Sequence, residues 1–117
     1  MIEVNDYVRT KNGVIDKVDA LYGMIKNTVH LENQKWFDTK NIVNHSKQLI
    51  DLIEVGDYVN GHLVVEISKN AYNQKIVITE VDGKDGAIRH HYLERNIKNV
   101  VTHEQMQSIE YKVEEGK

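Results

Sequence analysis

The chain of 117 residues has no cysteine and no proline, and only one phenylalanine and one tryptophan. Without cysteine there is no disulfide, no thiol nucleophile and no thiolate metal ligand, and a reducing cytoplasm is the simplest setting. No run of about 18 apolar residues occurs, so no membrane-crossing helix is expected. The opening Met1-Ile2-Glu3-Val4-Asn5-Asp6 is acidic and unlike a signal peptide. Neither charge sign dominates: 15 Lys and Arg stand against 18 Asp and Glu, for a net charge of −3. That is short of the basic excess of a dedicated nucleic-acid binder and of the strong acidity of a DNA mimic. What remains is ordinary globular composition, with 40% hydrophobic and 28% charged residues.

The chain is one small unit written twice. Ile2-Glu3-Val4-Asn5-Asp6-Tyr7-Val8 recurs as Ile53-Glu54-Val55-Gly56-Asp57-Tyr58-Val59, identical at all but one position. Lys40-Asn41-Ile42-Val43-Asn44-His45 recurs as Lys98-Asn99-Val100-Val101-Thr102-His103. The first block repeats at an offset of 51 (53 − 2) and the last at 58 (98 − 40), which makes the second copy longer by seven. Self-similarity at this period defines the architecture before propensity is weighed. A unit of roughly 50 residues is near the lower limit for a stable core.

Strand signals dominate each copy. Val4 to Thr10 and Val14 to Val18 flank Asn12-Gly13, and Tyr58-Val59 and Leu63 to Ile67 flank Asn60-Gly61; Asn-Gly between β-rich runs predicts a hairpin. Gly23 to Leu31 and Lys35 to Phe37 continue the first copy. Lys75 to Val81 and Ala87 to Leu93 continue the second through a turn at Asp82 to Gly86. The extra length is expected around Asn70 to Asn73 and Asp82 to Gly86, because insertions at loop tips cost little. Asp38-Thr39-Lys40 and Glu94-Arg95-Asn96 suit a 3₁₀ turn before a last strand near Ile42-Val43 and over Ile97 to Val101. A short helix is then expected over His45 to Leu52, capped by Asn44 or Ser46. Another begins at Thr102, where Gln105 completes a capping box. Ile109 to Val113 reads as an edge strand, and the last four residues as frayed. The division is therefore 1–45, a connecting helix 46–53, 54–102, and a C-terminal 103–117.

Five short strands, a tight first hairpin and a 3₁₀ turn before the last strand resemble SH3-like small β-barrels, and Val55 to Val59 resembles the first strand of KOW- and Tudor-type modules. The stretch from Asn44 to Gly61 is similar to small uncharacterised phage and prophage proteins of Firmicutes. The resemblance implies a mainly β fold of two tandem SH3-like barrels and a phage accessory protein in the bacterial host's cytoplasm. It carries no catalytic residues.

Candidate residues divide by whether they are duplicated. Asp6 and Asp57 are repeat equivalents, and their expected role is a backbone contact near the first strand rather than acid–base chemistry. His45 and His103 are read as equivalents at helix starts. His90 and His91 should face opposite sides of a strand, one near the core, so one metal cannot take both. No metal or cofactor is expected, since structural zinc shows close Cys/His pairs. Trp36 is expected in the core. Arg9, Lys11, Tyr22, Lys35 and Lys40 are the first copy's remaining cations and aromatics.

Function is expected where the copies differ. No phosphate-binding loop or nucleophile elbow is present, so the leading expectation is a non-enzymatic binding protein that occupies a host protein, as an anti-CRISPR or other anti-defence inhibitor would. Tyr58, Tyr72, Arg89 and Tyr92 are its candidate contacts, because tyrosine and arginine often dominate interface energy. The alternative is a nucleic-acid or nucleotide binder, including a sponge for a signalling nucleotide, through Lys69, Tyr72, Lys75, Arg89, His91 and Arg95. A virion or assembly component is a weaker option, and a homodimer is left open.

Overall fold

The structure is a computed structural model and describes residues 2–22, 28–33 and 35–107. The chain divides into two compact units, Met1–Leu52 and Ile53–Lys117. Each is built on a five-stranded antiparallel sheet. The first contains β1 (Tyr7–Thr10), β2 (Ile15–Tyr22), β3 (Thr28–Leu31), β4 (Trp36–Asp38) and β5 (Ile42–Ser46), in the order β4-β3-β2-β1-β5. The second contains β6 (Tyr58–Val59), β7 (His62–Lys69), β8 (Lys75–Gly83), β9 (Gly86–Tyr92) and β10 (Val100–Val101), in the order β10-β6-β7-β8-β9. Read from the last strand of each unit, the two orders are the same.

The repeated opening folds identically in both units. Glu3 N–H donates to Asp6 Oδ2 and Asp6 N–H to the Glu3 carbonyl, at 2.9 and 3.0 Å; Glu54 and Asp57 make the same pair at 2.8 and 3.1 Å. The one substituted position explains itself. Asn5 has φ of 76° and Gly56 of 100°, a left-handed conformation that glycine and asparagine tolerate best. The next main-chain bonds also match, from Asn5 to Val18 O and Gly56 to Val64 O, and from Val18 to Asp6 O and Val64 to Asp57 O. A bulge follows each of these valines, between Val18 and Ala20 and between Val64 and Glu66.

The first hairpins differ in length. Asn60 and Gly61 both take positive φ, 52° and 84°, which closes a two-residue turn. In the first unit Gly13 alone does so, with Gly13 N–H donating to Thr10 O and Thr10 N–H to Val14 O, a longer loop. Tyr7 faces Lys17 whereas Tyr58 faces Leu63, so this hairpin is five residues shorter in the second copy. The β2–β3 connection is two longer there, since Tyr22 faces Thr28 and Ser68 faces Ile76. The β8–β9 hairpin is seven longer, since His30 faces Trp36 and Ile78 faces His91. Both expected insertion points carry the added length.

The 3₁₀ turns form at Thr39–Asn41 and Glu94–Asn96, an offset of 55 (94 − 39). His45 faces Val8 and Val100 faces Val59, again 55 apart (100 − 45). This corrects the alignment read from sequence. Lys40-Asn41-Ile42 matches Arg95-Asn96-Ile97 in structure, and the second Asn, at 99, produced the competing match three residues on. His45 and His103 are therefore not equivalent.

The connecting helix is also corrected. β5 runs to Ser46, and only a 3₁₀ turn, Leu49–Leu52, follows. Ser46 starts it, its Oγ accepting from Gln48 N–H and donating to Asp51 Oδ2. Buried Ile50 and Leu52 pack this turn on β1 and β5, and strand pairing to β1 claims the residues before it. At 103–107 the expected helix and its box are present, with Thr102 N–H donating to Gln105 Oε1 and Gln105 N–H to Thr102 Oγ1. The expected edge strand at 109–113 and the frayed tail lie outside the described residues.

Alternation along the strands builds each core. Val29 and Leu31 are buried with Val8 and Val18, and Ile2, Phe37 and Ile42 pack against them. Val59, Val64 and Val77 are buried in the second unit, where burial of four consecutive residues, 76–79, covers both faces of β8. Trp36 is not in the core and is 52% exposed. Phe37 takes the inward position of β4, so period-two alternation turns its neighbour outward. Arg9, one of the first copy's cations, is buried, and its Nη1 donates to the Leu52 carbonyl at 2.9 Å.

Candidate functional site

The duplicated acids fasten their own units. Asp6 is buried, with Oδ1 2.7 Å from Lys47 Nζ and Oδ2 3.4 Å from His45 Nδ1. Lys47 Nζ also holds Glu3 Oε1 at 2.6 Å. Burial pushes the Asp6 carboxyl up. Lys47, the Glu3 N–H and His45 outweigh it and hold the group below its ordinary value. Asp6 and then Glu3 hold the Lys47 ammonium above its ordinary value, against desolvation. Asp57 does the same fastening through the main chain, accepting from Glu54 N–H and from His103 N–H at 2.9 Å. Each carboxylate is thus committed to closing a sheet, as the duplication implied.

The second unit places its expected contacts in separate places. Tyr72 lies at the tip of the β7–β8 hairpin and is 83% exposed. The tip is ordered by Asn70, whose Oδ1 accepts from Tyr72 N–H and Gln74 N–H at 2.9 and 3.0 Å and whose Nδ2 donates to Gln74 Oε1 at 2.9 Å. Lys69 and Lys75 face one another at its base. Arg89 is on β9, ion-paired to Glu80 at 3.0 Å and to Glu66 at 3.6 Å. His91 shares the Arg89 face, two residues on, and is exposed.

On the other face Tyr92 OH lies 3.4 Å from His62 Nδ1, and His90 stacks on His62 with ring centroids 5.3 Å apart. β8 separates β7 from β9, so the sheet must curl to bring these rings together. His90 and His91 do face opposite sides, but both are exposed, because β9 is the outer strand of its sheet. Tyr58 is half-buried on β6. Arg95 is in the 3₁₀ turn that Asn60 grips through Asn96 O, Lys98 N–H and Asn99 N–H. Asn60 lies in the turn before β7 and the Tyr72 hairpin follows its end, so Arg95 and Tyr72 are separated by a strand about 26 Å long. Lys69, Tyr72 and Lys75 are gathered; Arg89, His91 and Arg95 are not with them. Tyr58, Tyr72, Arg89 and Tyr92 likewise form no single patch.

Sequence reading passed over two groups. Glu54, His103 and Glu104 bring one ligand atom each within 4.8 Å of one another. His103 Nε2 lies 2.9 Å from Glu54 Oε1 and its Nδ1 3.7 Å from Glu104 Oε1, so both ring nitrogens face carboxylates. One ring can turn only one nitrogen to an ion, so a metal would have to displace one of these pairs. The second group is on the first unit, where Trp36 packs against His30 at 4.6 Å between centroids and Asp19 Oδ1 holds His30 Nδ1 at 2.6 Å. Alternation, which admits only one of the adjacent Trp36 and Phe37 to the core, is the signal that sequence offers, and it does not choose between them. No known protein family, curated protein or solved structure matches the chain.

Proposed function

We propose that the chain is a non-enzymatic binding protein whose two units are SH3-like barrels, and that it acts by occupying another protein. A phage-encoded inhibitor of a host defence system, such as an anti-CRISPR, is the concrete form. The common strand order, the 3₁₀ turn before each last strand and the curl that joins His62 to His90 support the barrel reading. The observation that carries the binding role is Tyr72, exposed at a tip already ordered by Asn70. A preordered aromatic loses little entropy on docking, and tyrosines often dominate interface energy.

The test is retention of a host protein from lysate by the tagged chain and by a Tyr72→Ala variant with unchanged circular dichroism. A host protein held by the first and lost from the second is expected. The same proteins on both would refute the role of Tyr72. A nucleic-acid or nucleotide role is the second reading, favoured by Lys69 opposite Lys75 beneath Tyr72. Binding of labelled oligonucleotide that falls steeply with salt would select it.

A further inference from the structure

We propose that the core-side face of the second sheet carries a binding site for a divalent transition-metal ion, held by the imidazoles of His62 and His90. The inference concerns the second unit alone and stands apart from the protein-binding reading.

His62 begins β7 and His90 lies on β9, with β8 between them. Register puts both on one face: His62 is opposite Val59, and His90 is opposite Thr79, which is itself opposite Val64. Buried Val59, Val64 and Val77 make this the core side of the sheet. The curl brings the two rings to 5.3 Å between centroids, 17° from parallel. An ion about 2.1 Å from one nitrogen of each ring, at the tetrahedral angle, sets two imidazole centroids about 5 Å apart. The strands therefore already hold the spacing, and a turn of the rings about their side-chain bonds aims the nitrogens. His90 has room for that turn, since it is exposed on the outer strand. The two ligands are 28 residues apart in sequence (90 − 62), so no close pair announces them.

Tyr92, on the same face of β9, places its hydroxyl 3.4 Å from His62 Nδ1. With the proton on Nδ1 directed at the phenol oxygen, Nε2 keeps its lone pair for an ion. Such an outer partner fixes the tautomer and orientation of a metal-binding imidazole. Thr79 is buried beside His90, and its Oγ1 has no hydrogen-bond partner among the described residues. A buried hydroxyl left unpaired is costly, and water carried by an ion between the rings supplies a partner. The face also selects the ion. Register turns Glu66, Glu80 and Asp82 to the opposite side, where the two glutamates pair with Arg89. Magnesium and calcium need such oxygen ligands, whereas neutral imidazoles suit zinc, nickel and copper. An ion here ties β7 to β9 across β8.

The probe is zinc chloride titrated into the whole chain at neutral pH, read by calorimetry and by the ring protons of the histidines. One equivalent should bind, shifting the His62 and His90 signals, and magnesium chloride should not. His62→Gln and His90→Gln should each weaken zinc by more than about tenfold, and Tyr92→Phe by a smaller factor. His91→Gln, next in sequence but on the other face, should leave the affinity within about twofold. Zinc at about a hundred times its dissociation constant should raise the melting temperature by about 5–10 °C, an effect lost in either glutamine variant. Variants with unchanged circular dichroism keep the comparison free of misfolding. No binding at about millimolar zinc would overturn the proposal, as would magnesium binding equally well. Loss with His91→Gln as large as with His90→Gln would mark unspecific surface binding and overturn it. Loss with His103→Gln, with His62→Gln and His90→Gln unaffected, would assign the ion to the Glu54 cluster and overturn it too.

Discussion

Replacing Asp57 by alanine removes the acceptor that joins the second unit's first turn to its last segment. Two main-chain donors, Glu54 N–H at 2.8 Å and His103 N–H at 2.9 Å, then lose a charged partner in a place that buried Asp57 shields from water. A hydrogen bond to a charged group contributes about 1.5–3 kcal/mol, so the expected loss is about 3 kcal/mol or more. With a urea dependence of about 1.5 kcal/mol per molar, the unfolding midpoint falls by about 2 M. Urea titration followed by far-ultraviolet circular dichroism measures it. Asp57→Asn, which keeps one acceptor oxygen, should fall between the two. A shift of less than about 0.3 M in Asp57→Ala would refute the view that this carboxylate closes the unit.

Three more outcomes are expected. Asp6, held low, contributes stability that is present above its unfolded value of 3.8 and is lost as pH falls through the lower folded value; Lys47, held high, contributes stability that is present below 10.5 and is lost as pH rises through the higher folded value. Lys47→Met should therefore unfold at lower urea than the parent at neutral pH and converge with it at both extremes. Leu31→Ala, which empties a core position in the first unit, should cost about 2–5 kcal/mol in thermal or urea unfolding. Gly61, at φ of +84° with open space around it, should lose about 1 kcal/mol as Gly61→Ala from backbone strain alone, and much less as Gly61→Asn.

Much of the fold was legible because its signals are local. Asn60-Gly61 requires positive φ at both positions, and the structure has it. Thr102 and Gln105 sit three apart before a helical stretch, and both capping bonds form. The 3₁₀ turns lie where short polar passages precede a last strand. What failed depends on distant partners. His45 and Ser46 belong to β5 because β1 pairs with them, a contact that outweighs the helical pattern of the following residues. The expectation of Trp36 in the core fails because alternation allows only one of Trp36 and Phe37 inside, and sequence does not say which. The burial of Arg9 is not legible locally either, since its acceptor is the carbonyl of Leu52, more than forty residues away. The ordered tip that carries Tyr72 follows from Asn70, a residue type whose side chain commonly organises turns.

Cross-strand nuclear Overhauser contacts between the first and last strands of each unit test the duplicated sheet most directly. The expected spectrum has Val8 opposite His45 and, independently, Val59 opposite Val100, with Val18 and Val64 amides bonded back to the turns at Asp6 and Asp57. One set without the other, or sequential helical contacts across residues 45–52, would contradict two copies of one strand order.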